Sequence, residues 1–275
     1  MTTRDRFVAP ALRNPAFALN STEDGCTPLH IAARNGHVKA IVELLKAGAS
    51  KDALKENGWT PLHLAARNGH VKATAALLQV GANKDAAAKD GWTPLHIAAQ
   101  SGHVEAIVAL LKAGASKDAL KEDGCTPLYI AARNGHVKAI AVLLQAGANK
   151  DAAAKDGWTP LHIAAYSGHV EAIVALLKAG ASKDVEIEDG CTPLHIAARN
   201  GHVKAIAVLL QAGANKDAAA KAGATPLHMA AHNGHVKAIA ALLQAGANKD
   251  AAAKVRPGGG GGGVISVFVV AVVVW

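Results

Sequence analysis

Fourteen histidines and three cysteines are the side chains of this chain best able to hold a metal or attack a substrate. A zinc site needs ligands at close spacing, as in Cys-x-x-Cys or His-Glu-x-x-His, and neither pattern occurs. Cys26 with His30, and Cys191 with His195, stand four residues apart. That spacing could make a thiol–imidazole pair, with the thiol acidified just ahead of a helix N-terminus. Yet the Cys position holds Trp59, Trp92, Trp158 and Ala224 elsewhere, and Cys125 faces Tyr129 instead of a histidine. The favoured reading is exposed, non-catalytic thiols. No metal, no cofactor and no catalytic residue is expected.

The histidines fall into two series. Six close a Thr-Pro-Leu-His frame: His30, His63, His96, His162, His195 and His228. Seven follow a glycine: His37, His70, His103, His136, His169, His202 and His235. Both series advance by 33 residues. A residue type repeated in every unit is a building rule, so capping and interface hydrogen bonds are the expected role. The cysteines occupy one position of units one, four and six. Neighbouring units should be offset by about the 8–10 Å that separates packed helices. The nearest thiols are then on the order of 16–20 Å apart, beyond the roughly 7 Å between Cα atoms that a disulfide tolerates. Three free thiols suit a reducing intracellular setting, the cytoplasm first and the nucleus as alternative.

A fixed step of this size marks a stacked array. In each unit Thr27 and its equivalents should N-cap a helix, with proline at the first helical position. His30 and its counterparts, at the third helical position, can reach back like the acidic partner of a capping box. Gly36 should end that helix in the left-handed conformation. A second helix is expected from about His37 to Ala47, carrying Val38, Ile41, Val42, Leu44 and Leu45 inward, and Gly48 stops it. The polar stretch Ala49 to Gly58 connects to the next unit. Lys51-Asp52 and the matching pairs there read as a solvated rim.

The frame Thr-Pro-Leu-His…Ala-Ala…Gly-His…Leu-Leu…Gly-Ala resembles the ankyrin repeat from about Asp24 to Lys254. The resemblance implies an all-α solenoid of stacked helix-turn-helix units with projecting hairpin loops. It also implies a concave face that binds partners. Many ankyrins have a hydroxylatable Asn where this chain has Asp52, so that property does not carry over. Residues 25–254 read as seven repeats, and residues 1–24 as an extension with a degenerate capping half-repeat. Residues 255–275 form a glycine-rich linker and an apolar tail, taken first as a gene-model or splicing artefact and second as a membrane-touching segment.

Gly91–Asp156 and Gly157–Ala222 differ at six positions over 66 residues, as expected from expansion in two-repeat blocks. Near copies favour a modular surface over a unique active site. Variation concentrates at two positions of the unit. One follows the loop glycine, where Trp59, Trp92 and Trp158 alternate with cysteines. The other follows Ala-Ala and holds Arg34, Arg67, Gln100, Arg133, Tyr166, Arg199 and His232. Trp, Tyr and Arg are the types enriched at binding hot spots. These ten residues are the candidate partner-binding set of a monomeric, non-enzymatic protein–protein interaction scaffold. A net charge of +8 admits nucleic acid as the rival partner.

Overall fold

The computed structural model describes residues 25–253 except residue 222. The expected N-terminal half-repeat and the apolar tail lie outside the described residues. Among the described residues fourteen α-helices follow one another in pairs: α1 (Pro28–Arg34) and α2 (Val38–Lys46), α3 (Pro61–Arg67) and α4 (Val71–Gln79), α5 (Pro94–Ser101) and α6 (Val104–Lys112), α7 (Pro127–Arg133) and α8 (Val137–Gln145), α9 (Pro160–Ser167) and α10 (Val170–Lys178), α11 (Pro193–Arg199) and α12 (Val203–Gln211), α13 (Pro226–His232) and α14 (Val236–Gln244). The array is all-α, with no strand among the described residues. First helices pack on first helices, and second helices on second helices, from each pair to the next.

The first helices are short because their sequence starts and stops them. Thr27 caps α1, Pro28 occupies its first position, and the backbone turns left-handed at Gly36, φ +69°. The expected capping box is present at Thr27–His30, and also at Thr60, Thr93, Thr159, Thr192 and Thr225 with their histidines. The Thr27 N–H donates to His30 Nδ1 at 3.2 Å. That bond leaves the proton on Nε2, and a second role follows from it. His30 Nε2 donates across the repeat boundary to the Trp59 carbonyl at 3.0 Å. The same reach joins His63 to Trp92, His96 to Cys125, His162 to Cys191 and His195 to Ala224. Tyr129 replaces the histidine in α7, where Thr126 still accepts from the Tyr129 N–H but the box is absent.

The second histidine series points the other way. His70 Nε2 donates to the Arg34 carbonyl of the preceding repeat at 2.9 Å. His103, His136, His169, His202 and His235 repeat the bond with Arg67, Gln100, Arg133, Tyr166 and Arg199. Gly168 shows what this demands of the chain. It closes α9 at φ +69°, and an added Cβ would lie 2.8 Å from His202 Nδ1. Glycine is needed there for the backbone angle and also for room to seat the next repeat's ring.

The Lys-Asp pairs do more than the expected solvated rim. Their salt bridges, such as Lys84–Asp85 at 3.7 Å, are partly exposed and contribute little. The aspartates, however, do structural work between loops. Asp52 Oδ1 accepts the Asn83 N–H at 2.7 Å, and Asp85, Asp118, Asp151, Asp184 and Asp217 each accept the N–H one repeat on. The solvated rim is also a third ladder of bonds along the array. Sequence spacing alone does not show it, because donor and acceptor are 31 residues apart.

Small side chains fill the core, as the composition requires. Leu62, Leu95 and Leu128 from first helices are fully buried with Ile107, Leu110, Ile140 and Leu143 from second helices. Val42, expected inside, is 37% exposed, while Ile41 is fully buried. Thr74 stands where other repeats place Ile41, Ile107, Ile140, Ile173 and Ile206, and its buried hydroxyl has no hydrogen-bond partner. An unsatisfied buried hydroxyl costs about 1–3 kcal/mol, and the frame elsewhere accommodates isoleucine. Thr74→Ile should therefore stabilise the protein by about 1–2 kcal/mol, read as a higher denaturant midpoint; an unchanged or lower midpoint would show that the second repeat lacks room.

Candidate functional site: a face of pinned backbone and variable side chains

At both variable positions histidines capture most of the backbone carbonyls; among the described residues the exceptions are Trp158, which faces Tyr129 in place of a histidine, and His232 in the last repeat. The carbonyls of Trp59, Trp92, Cys125, Cys191 and Ala224 accept from the repeat before. The carbonyls of Arg34, Arg67, Gln100, Arg133, Tyr166 and Arg199 accept from the repeat after. Backbone position is thus fixed while the side chain is free to differ. Sequence reading found the variation and expected interface bonds from the histidines, but not that these carbonyls are their acceptors, since each imidazole acts on a residue 29 or 36 positions away.

The structure brings some of the candidate residues together. The Arg67 guanidinium lies 5.2 Å from the Trp59 ring centroid, a cation–π contact on an exposed arginine. Trp158 and Tyr166 meet edge-to-face at 5.6 Å. Trp59, Trp92 and Trp158 also stand 5.9–6.1 Å from His63, His96 and His162 of their own first helices. At Trp92 the cation is Lys121, whose Nζ sits 4.2 Å from the ring centroid, a residue the sequence reading did not single out. Lys121 bonds to Asp123 at 2.8 Å, and its side chain is only 8% exposed. Burial alone would raise the Asp123 carboxyl, but the Lys121 and Cys125 bonds hold it below its ordinary value.

Exposure sorts the candidates further. Arg34 and His232 are exposed, whereas Gln100, Arg133, Tyr166, Arg199, Trp59 and Trp92 are half-buried. Trp158 is only 6% exposed, so it acts mainly by fixing Tyr166. The side chains of Arg133 and Arg199 have no ion-pair partner among the described residues.

The thiols differ from expectation. Cys26 is half-buried, while Cys125 and Cys191 are buried. Burial first, then the neighbouring Asp123 or Asp189 carboxylate, pushes both buried thiols up to about 12. A nucleophile needs the thiolate, so neither buried cysteine is poised to attack at neutral pH. Among the described residues no group of three or more His, Cys, Asp or Glu side chains is arranged to hold a metal.

A family model described as ankyrin repeats matches residues 11–88, 29–121, 74–154, 114–189 and 181–253. The chain belongs to the ankyrin repeat family. The crystal structure of the human ASB11 ankyrin repeat domain is similar to it at 33% identity and a TM-score of 0.72, covering 80% of this chain and 98% of that one. No match was found among curated proteins. Ankyrin repeats are in general protein–protein interaction modules. No helix among the described residues is long and apolar enough to cross a membrane.

Proposed function

We propose that this ankyrin array is a non-enzymatic scaffold that holds a partner protein across the face carrying the loop tips and first-helix ends. In the family this is the concave face. The observation that carries the reading is the capture of most carbonyls at both variable positions, Trp158 and His232 excepted, which leaves their side chains as the part free to recognise something. Trp59, Trp92 and Tyr166, the last held by Trp158, supply large half-buried surfaces. Arg34, Arg67, Arg133 and Arg199 supply charge, with Gln100 and His232 completing the line. Mixed aromatic and cationic groups suit a protein segment bearing acidic and apolar residues. Nucleic acid would call for a more continuous basic track, and here Gln100 and Tyr166 interrupt it.

The test is photo-crosslinking of the full chain in cell extract, with a photoreactive residue at position 67 or 100 on this face or at Lys138 on α8. Protein adducts from 67 and 100, absent from 138 and unaffected by nuclease, are expected. Adducts only from 138 would move the interface to the second helices. Nuclease-sensitive adducts, with binding that falls steeply with salt, would make nucleic acid the ligand.

A further inference from the structure

The two near-identical blocks act as an internal comparison. Of their six differences, Gln100 against Tyr166 and Lys121 against Ile187 change what surrounds an otherwise matching tryptophan. At Trp92 the ring is covered by Lys121. At Trp158 the ring carries the edge of Tyr166, and Ile187 packs against the core in place of the lysine. Tyr166 stands between Arg133 and Arg199 of the adjoining repeats, at the same position of the frame. All three carbonyls are pinned, by His169, His202 and His235. Neither flanking guanidinium has an ionic partner among the described residues. The result is a cation, an aromatic ring and a second cation held in register.

We propose that Arg133, Tyr166 and Arg199 form the principal specificity station of the array, reading an extended partner segment with an apolar residue between two acidic ones. This rests on the scaffold reading above and names what that face recognises. The spacing follows from geometry. Stacked first helices lie about 8–10 Å apart, and an extended chain advances about 3.3 Å per residue. One repeat therefore corresponds to about three residues of the segment. The recognised pattern is acid, two spacers, apolar residue, two spacers, acid. Repeats two to four offer the same frame with Arg67, Gln100 and Arg133, where glutamine gives the apolar residue no ring to meet.

The experiment uses the full chain and fluorescein-labelled peptides with the core Glu-Ser-Ser-Leu-Ser-Ser-Glu, which reads alike in both directions. Controls carry one or four serines on each side, or serine at the centre. The two-serine peptide should bind at least about fivefold more tightly than the others. Tyr166→Gln, a residue the frame already accepts at position 100, should erase the preference for leucine over serine at an unchanged unfolding midpoint. Arg133→Gln or Arg199→Gln should each weaken binding about fivefold and flatten its salt dependence, while Lys138→Gln should do neither. Combining Tyr166→Gln with Gln100→Tyr and Lys121→Ile should move the station, so that binding becomes sensitive to Arg67→Gln and insensitive to Arg199→Gln. No binding, indifference to spacing, or an unaffected Tyr166→Gln protein would each overturn the proposal. If crosslinks from 67 and 100 still captured protein in those cases, the scaffold reading would stand without it.

Discussion

Acidification from pH 7 to about pH 4 should strip most of the stability from this array, with the loss beginning below about pH 6.5. His63, His96 and His162 are fully buried, and each is lowered from 6.5 to about 4. Burial is the main cause, because the charged ring loses its water; the carbonyl bonds to Trp92, Cys125 and Cys191 oppose it without winning. Burial lowers His30 and His195 in the same direction. Between the folded and unfolded values the unfolded chain binds more protons, so falling pH draws the equilibrium toward it. The stabilisation is complete above about 6.5 and has gone once pH passes below about 4. Each of the three rings accounts for on the order of 3 kcal/mol, a large share of the 5–15 kcal/mol typical of a domain. Denaturant midpoints measured from pH 7 to pH 4 should fall continuously. His162→Tyr, which copies the natural Tyr129, should show a shallower fall because one titrating ring is gone. A flat profile in the parent protein would show that the rings charge without leaving their sites.

The second large effect separates two demands placed on glycine. Gly168 and Gly234 share φ +69°, so alanine at either position costs about 1–2 kcal/mol in backbone strain. At Gly234 an added Cβ meets nothing within 4 Å, whereas at Gly168 it meets His202 Nδ1 at 2.8 Å. The His202 ring cannot swing away without losing its 2.9 Å bond to the Tyr166 carbonyl. A broken bond that leaves a polar group unsatisfied adds about 1–3 kcal/mol. Gly168→Ala should thus destabilise the array by about 3 kcal/mol, and Gly234→Ala by about half of that. Equal losses at the two positions would mean that strain alone sets the requirement.

Much of the fold was legible because its determinants are local. Thr27, Pro28, His30 and Gly36 lie within one helix and its ends, and the capping box formed as their types and spacing require. The contacts between repeats were not legible in the same way. A histidine three residues from its cap shows its Nδ1 role, but not that Nε2 will meet a carbonyl in the next repeat. Asp52 beside Lys51 resembles an exposed ion pair until the folded chain brings the Asn83 N–H to it. Cys125 and Cys191 sit in a loop register that looks open in sequence, yet the packing of successive repeats buries both. Of the candidate site, the positions were readable from copy-to-copy variation. The pairing of Arg67 with Trp59 and the cover of Lys121 over Trp92 were not, because each depends on rotamers and neighbouring loops.

The three ladders share one arithmetical property. Their partners are separated by 29, 31 or 36 residues, always between immediate neighbours and never across a longer stretch. A change in gene length by whole repeats leaves every such offset intact. Excising residues 91–156 would join Asp90 to Gly157, bring Trp158 to His63 in place of Trp92, and present the Arg67 carbonyl to His169 in place of His103. No bond would lose its donor or acceptor. The backbone chemistry that joins the repeats therefore also makes the length of the array a quantity that recombination can edit, lengthening or shortening the proposed binding face without redesigning a single junction.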